Sequence, residues 1–351
     1  MISRLIILIG MIGFFILTIG YYVSSPVYHG IETDHFNGRQ FENHFKKDRS
    51  SIDHIWQSLF KSSQGWSETI PYQIIHPEQL TPPIDMIKLT FINHSSWLIQ
   101  YPSMNILIDP IFSNRASPFP FIGPKRYHPT PLSIESLPRI DVLFISHNHY
   151  DHMDKSTLKR IISRDQPICI TGLGNHHLLS RWGCKSSIGM DWFDIYSFNT
   201  DFKFSFTPAH HSSNRGLFDK DKTLWGGLII YYHNMHTLYY AGDTGYSDIF
   251  KLIYLEYNPI DVSILPIGSY DPISLFNHSH LTPFESVEIH QILKSRQSLA
   301  SHWGTFKRSE ASLYSPLKDL RTAKELLNVR DDEFIHLQPG TQFNIQLPLS
   351  D

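Results

Sequence analysis

The run Val142-Leu143-Phe144-Ile145, followed at once by Ser146-His147-Asn148-His149-Tyr150-Asp151-His152, constrains this chain more than any other segment. Four consecutive apolar residues read as a strand buried on both faces. The polar hexapeptide His147 to His152 then reads as a loop at the end of that strand. His147 and His149 can turn their imidazoles toward one ion, while Asp151 and His152 face a second ion beside it. Imidazole nitrogens and carboxylate oxygens suit Zn²⁺, with iron and manganese as the competing ions. The only cysteines, Cys169 and Cys184, lie too far apart for a thiolate clip. A lone histidine among the chain's 21 is ordinarily a hydrogen-bonded structural residue, so the grouping carries the metal reading.

With 351 residues, 41% of them hydrophobic and 18% charged, the chain can bury a large core. A net charge of −3 without a Lys/Arg-rich block argues against nucleic acid as a partner. Leu5 to Val23 is a nearly continuous, uncharged apolar stretch, long enough for a membrane-crossing helix. Arg4 stands upstream of it, and Tyr21 and Tyr22 stand where an interfacial aromatic belt would. A cleaved signal peptide is the competing reading. Against it are the length of the stretch and the following Val23-Ser24-Ser25-Pro26, which is not a small-x-small cleavage site. A retained anchor leaves the following domain on the extracytoplasmic side. Two cysteines neither require nor exclude an oxidising compartment.

Three regions follow: a hydrophobic anchor over 1–24, a polar extension over 25–84 with a short helix over Ile52 to Phe60, and a main domain over 85–351. Strands are expected at Ile87-Leu89-Phe91, Trp97-Leu98-Ile99, Ile106-Leu107-Ile108 and the alternating Phe202-Lys203-Phe204-Ser205-Phe206. Further strands end in polar residues, at Tyr239 to Asp243, Ile264 to Gly268 and Leu299 to His302. Asp154 can cap a helix whose Leu158, Ile161 and Ile162 fall on one face, and Thr282-Pro283-Phe284-Glu285 has the form of a capping box. Strands in both halves with helices between them imply two packed sheets covered outside by helices.

Several segments together carry a resemblance: Asp109-Pro110-Ile111-Phe112, Arg115-Ala116-Ser117-Pro118, Gly123-Pro124-Lys125-Arg126, the loop at 147–152, Leu224-Trp225-Gly226, Ala241-Gly242-Asp243-Thr244-Gly245-Tyr246, Pro266-Ile267-Gly268 and His302-Trp303-Gly304-Thr305-Phe306. They resemble the metallo-β-lactamase fold superfamily, whose HxHxDH motif stands unaltered here. More narrowly they resemble its N-acylphosphatidylethanolamine-hydrolysing phospholipase D group, over about residues 85 to 340. The resemblance implies an α/β fold, the αββα four-layer sandwich, preceded here by the N-terminal transmembrane or signal helix. It further implies two zinc ions per chain. His147 and His149 would hold the first with one histidine from Thr207-Pro208-Ala209-His210-His211, where the match falls on His211 and His210 replaces a usual glutamine. Asp151, His152 and His302 would hold the second, and Asp243 would bridge both.

The residues alone leave Asp243 open as a turn former between glycine and threonine, although a two-metal site needs ligands from several elements and polar strand ends supply them. Asp109 reads either as an acceptor for a ligand imidazole N–H or as a turn residue before Pro110. His280 matches a family histidine beside the site and would bind the phosphate or assist the leaving group. His94 would lie near the metals, in substrate binding or in structural hydrogen bonding. Lys125 and Arg126 would meet an anionic head group or remain solvated surface. The implied activity is dinuclear hydrolysis with Asp151, Asp243 and His280 as catalytic residues. Its substrate would be a phospholipid, cleaved to N-acylethanolamine and phosphatidic acid at the membrane that the N-terminal helix enters. Lactones or soluble phosphodiesters are alternative substrates of the same centre, and a membrane-anchored metal-binding protein without turnover is the alternative of another class. No sequence feature sets an oligomeric state.

Overall fold

The computed structural model describes residues 2–45, 65–233 and 235–347. The short helix expected over Ile52 to Phe60 lies outside the described residues. One seven-stranded sheet runs in the order β14 (Gln342–Gln346), β1 (Met86–Asn93), β2 (Ser96–Tyr101), β3 (Met104–Ile108), β4 (Val142–Ile145), β5 (Ile168–Gly172), β6 (Ser186–Met190). The other runs β13 (Phe334–Ile335), β12 (Gln297–Ser301), β11 (Val262–Pro266), β10 (His236–Tyr240), β9 (Gly227–Tyr232), β8 (Phe202–Thr207), β7 (Ile195–Ser197). Each sheet is antiparallel in one half and parallel in the other, the change falling at β3–β4 and at β10–β11. Parallel neighbours need long crossovers; helices make them except between β3 and β4, where the irregular segment 109–141 does.

After the N-terminal helix α1 (Ile2–Val23) come α2 (Lys155–Asp165) and α3 (Asn175–Arg181), which cross over on the first sheet. Helices α4 (Ile249–Tyr257), α5 (Ile273–Phe276), α6 (Pro283–Leu293) and α7 (Ser315–Leu327) belong to the second half. The apolar run at 142–145 shows why the layers form. Val142 and Phe144 enter the cluster between the sheets, with Phe91, Trp97, Phe204 and Phe206. Leu143 and Ile145 point the other way, into the cluster made with Leu158, Ile161, Ile162, Leu178 and Leu179 of α2 and α3. A strand covered on both faces cannot alternate with polar residues, and this one does not.

The expected caps form. The Asp154 carboxylate accepts from Ser156 N at the start of α2. At the start of α6, Thr282 Oγ1 accepts from Glu285 N, and Glu285 Oε2 accepts from Thr282 N at 2.8 Å. The fold is the two-sheet α/β sandwich that the sequence implied.

The membrane-spanning segment is not borne out: among the described residues no helix is long and apolar enough to cross a membrane. The stretch is helical, but its C-terminal end is engaged with the domain. Gly20 is buried and leaves no space for a Cβ beside Leu217. Ser24 Oγ donates to Gly20 O at 2.6 Å. Just beyond the helix, Ser25 N donates to Asp219 Oδ2 at 2.6 Å, and Asn148 Nδ2 donates to Ser25 Oγ at 3.0 Å.

Cys169 in β5 and Cys184 ahead of β6 form a buried disulfide across 15 residues of sequence. Closing a loop of that size restricts the unfolded chain by about 3 kcal/mol. Replacing both cysteines by alanine is expected to lower the unfolding free energy by about that amount in urea titrations; unchanged stability would remove the cross-link from the account of the first sheet.

Candidate metal centre

The centre gathers where strands of both sheets end. β4 runs into the 147–152 loop, β8 leads to His211, β10 to Asp243 and β12 to His302. Two glycines permit the approach of these ends. Gly242 has φ +64°, and a Cβ there would stand 3.0 Å from Gly226 O and from the Ser146 side chain. A Cβ on Gly268 would stand 1.9 Å from His302 O, so only glycine lets that turn pass the ligand-bearing one.

Three imidazoles form the first group. His147 Nε2 lies 2.8 Å from His149 Nδ1, which lies 3.2 Å from His211 Nε2. The far side of His211 fixes its tautomer: Nδ1 donates to the Ser279 carbonyl at 2.8 Å, which leaves Nε2 with its lone pair. Burial, then the neighbouring imidazoles, push His147 and His149 well below the ordinary histidine value. Burial takes His211 down to about 4. Neutral imidazoles whose ring nitrogens converge this closely suit a cation, which needs their lone pairs.

Asp151, His152 and His302 form the second group, with Asp243 between the two. Asp243 Oδ2 lies 3.2 Å from His152 Nε2 and 3.1 Å from His302 Nε2, without the alignment of hydrogen bonds. The same oxygen is 3.9 Å from both His147 Nε2 and His211 Nε2. Burial opposes ionisation of Asp243, yet His152 and His302 outweigh it and hold the carboxyl well below the usual range. Asp151 behaves alike, with Arg308, His152 and His94 outweighing burial. His152 moves the other way: burial would lower it, but Asp243, Asp109 and Asp151 raise it well above the ordinary value. Buried imidazole nitrogens that lack aligned partners and converge with two carboxylates fit a pair of divalent ions.

Asp109 sits behind the loop. Its carboxylate accepts from His152 Nδ1 at 2.7 Å, from Ser146 N at 2.8 Å, from Ser146 Oγ, and from Tyr240 OH at 2.7 Å. The reading as an acceptor for a ligand imidazole therefore matches its placement, and the turn reading is not exclusive of it, since Asp109 has φ +41°.

The remaining sequence-derived candidates divide. His280 is buried, with Nδ1 3.8 Å from Asp243 Oδ2; burial holds it well below the ordinary value. His94 is not turned to a free space: Nε2 bonds Asp151 Oδ2 at 3.0 Å, and its ring centroid stands 4.1 Å from that of His302. His210 joins neither group, because its ring nitrogens face the carbonyls of His278 and Phe45 at 2.7 and 2.6 Å. Arg126 is a structural residue, buried against Phe306 and donating to Ser113 O and Ile111 O.

Sequence reasoning missed three contributors. Arg308 pairs with Asp151 Oδ1 at 3.1 Å, and its position just after the His302–Phe306 segment was the available signal. Tyr240, on the strand that leads to Asp243, holds Asp109. Asn43 of the extension accepts from His211 N at 3.0 Å and donates to His211 O at 2.9 Å, and nothing in the sequence pointed there. Asp109→Asn, which keeps shape but loses the acceptor geometry, is expected to weaken divalent-metal retention about 10- to 100-fold in chelator competition; wild-type retention would mean that the carboxylate does not orient His152.

Comparison with known proteins agrees with this geometry. The model of the "Beta-lactamase superfamily domain" matches residues 104–303. An N-acyl-phosphatidylethanolamine-hydrolysing phospholipase D of Caenorhabditis elegans is 34% identical over 257 residues, 69% of this chain and 70% of that protein. A mitochondrial one of Saccharomyces cerevisiae is 32% identical over 249 residues, 68% of this chain and 53% of that protein. A metallo hydrolase of the archaeon Ignicoccus hospitalis shares the fold with a TM-score of 0.56 at 20% identity, covering 75% of this chain and all of that one. The chain belongs to the β-lactamase superfamily and is a metal-dependent hydrolase of the group that includes the N-acyl-phosphatidylethanolamine-hydrolysing phospholipases D.

Proposed function

We propose that the protein is a dinuclear zinc phosphodiesterase of the phospholipase D type, cleaving N-acylphosphatidylethanolamine-like lipids to N-acylethanolamine and phosphatidic acid. The observation that carries this reading is the shared carboxylate: Asp243 Oδ2 stands within 3.9 Å of imidazole nitrogens from both donor groups. His147, His149 and His211 would hold one ion, Asp151, His152 and His302 the other, and Asp243 both. Two zinc ions, when bound, supply a water acidified toward neutral pH and polarise a phosphoryl oxygen.

The chain's own residues do the rest. Asp151 and Asp243 stay ionised under their cationic neighbours, so neither takes up the proton that binding would otherwise have to displace. Asp109 and the Ser279 carbonyl hold the imidazoles of His152 and His211 in their tautomers. His280, neutral and with Nδ1 unpartnered, is placed to donate a hydrogen bond to a phosphate oxygen or to the departing alkoxide. The bond broken is that between phosphorus and the ethanolamine oxygen, which leaves as the alcohol with a proton; the water oxygen stays on phosphorus.

The two relatives named as phospholipases support a lipid substrate. So does α1, which exposes Ile7, Met11, Phe14 and Phe15 and ends in the exposed Tyr21 and Tyr22. We read it as holding the protein at a bilayer, with the domain on the extracytoplasmic side, a placement that the disulfide supports because such bonds persist in oxidising compartments.

Product analysis by mass spectrometry tests the substrate. Zinc-loaded protein in mixed micelles of N-acylated and ordinary phosphatidylethanolamine is expected to yield phosphatidic acid and N-acylethanolamine. Asp243→Asn is expected to lower that rate by more than about a hundredfold and to loosen at least one ion. Metal bound with no lipid cleaved would turn the reading to lactones or soluble phosphodiesters. For the ligands, His211→Ala is expected to lower zinc content in elemental analysis and His210→Ala to leave it unchanged; the reverse pattern would move the ligand by one residue.

A further inference from the structure

A cavity of about 980 Å³ lies between the end of α1 and the start of α2, and no histidine or aspartate of the two metal-ligand groups lines it. Its charge is one-sided. Arg115, Lys155, Lys159, Arg181 and Arg215 face it, and among the described residues the only carboxylate in its wall is Asp154. That carboxylate is already committed, accepting from Ser156 N, Thr157 Oγ1 and Ser113 N. In a chain of net charge −3, such a concentration of cations is not an average surface.

The cations are not matched by carboxylates in ion pairs. Among the described residues, none of these five makes an ion pair, whereas Arg160, Arg164, Lys251, Lys324 and Arg330 elsewhere are each matched with a carboxylate. Arg215 is the most telling. It is 8% exposed, and its Nη1 donates to Asn148 O and Met153 O, while its guanidinium carbon lies 4.1 Å over the Tyr150 ring and 5.4 Å over Trp182. Carbonyls and ring faces orient the guanidinium, and Asp219 and Asp154 favour its charge from a distance without closing an ion pair, so it stands as a buried cation at the wall of the cavity.

Tyr21, Tyr22, Val23, Phe119, Trp182 and Phe218 give the wall a large apolar and aromatic share, beside the polar Ser113, Asn114 and Ser117. Lys155 Nζ sits 5.5 Å over the Tyr22 ring, so the cationic and aromatic parts interleave. A small inorganic anion would use the cations and leave the aromatic wall wet, and a neutral lipid would leave the cations unmatched. One molecule class satisfies both, an amphiphile with a phosphate head and an acyl tail.

We infer that this cavity is a second lipid site, which binds an anionic phospholipid with its phosphate among Arg115, Lys155, Lys159 and Arg181 and its acyl chain along the aromatic end of α1. The site does not depend on which bond the metal centre cleaves, and it is read by binding alone.

The test is flotation of the full chain with phosphatidylcholine vesicles, with and without phosphatidylglycerol. Wild-type protein is expected to prefer the anionic vesicles. Lys155→Glu/Lys159→Glu, at exposed positions, is expected to cut that preference by at least about tenfold. It should leave binding to neutral vesicles and hydrolysis of a soluble phosphodiester intact. Lys318→Glu/Arg321→Glu on α7 changes net charge equally and is expected to keep the preference. An equal loss in both double variants would reduce the effect to overall charge and overturn the site. Saturable binding of inorganic phosphate, measured by calorimetry and lost in the first variant, without any preference among vesicles, would overturn the lipid assignment.

Discussion

One buried carboxylate sets the geometry on which the centre depends. Asp109 ends β3, takes hydrogen bonds from the end of β4 through Ser146 and from the ligand loop through His152, and receives the Tyr240 hydroxyl from β10 in the other sheet. A charge with no exposure is tolerated only when its acceptor sites are filled, and four donors fill them here. The same contacts fix the spacing of the two sheets at the point where their ligands must meet. Tyr240 follows from that arrangement: burial first, then Asp109 itself, push its hydroxyl well above the ordinary tyrosine value, so it stays a donor.

The extension preceding the domain is part of this construction and not a passive linker. His35 bridges Asp34 and Asp191 at 2.6 and 2.7 Å and stacks on Trp192 with 4.4 Å between centroids. That anchor carries the chain to Asn43, whose amide grips both backbone groups of His211 and also accepts from Trp225 Nε1 at 3.1 Å. A candidate metal-binding histidine on a loop would otherwise be free to swing. Here its main chain is bonded to one segment and its side chain to the Ser279 carbonyl, so a single orientation survives.

How much of this was legible follows from how local each signal is. The 142–152 segment announced itself because a strand buried on both faces and a ligand loop are both properties of contiguous residues. The caps at Asp154 and Thr282 were readable for the same reason, each within one helical turn. Asp243, His211 and His302 come from separate strands, so the residues alone left them ambiguous and the family motifs had to place them. Arg308, Tyr240 and Asn43 were missed because their roles exist only through partners distant in sequence. Hydropathy overread α1, since a window of apolar residues carries no information about the contacts that hold its last turn to the 215–219 loop.

Those contacts give the N-terminal helix a defined relation to the chemistry. Ser25, just past α1, bonds the side chain of Asn148, which lies between His147 and His149, while Arg215 bonds the carbonyl of the same asparagine. Part of the exposed apolar surface gathers at the same place, for Leu217 and Phe218 adjoin the end of the helix and Phe119 stacks on Phe121 at 5.8 Å. Exposed apolar groups beside cations that make no ion pair suit the lipid occupant inferred above, because one contact removes the rings from water and matches the charge. A helix that only tethered the domain would need no such fit. One bonded through Ser25 to the loop that carries His147 and His149 is fixed relative to the candidate metal centre as well as attached to the domain.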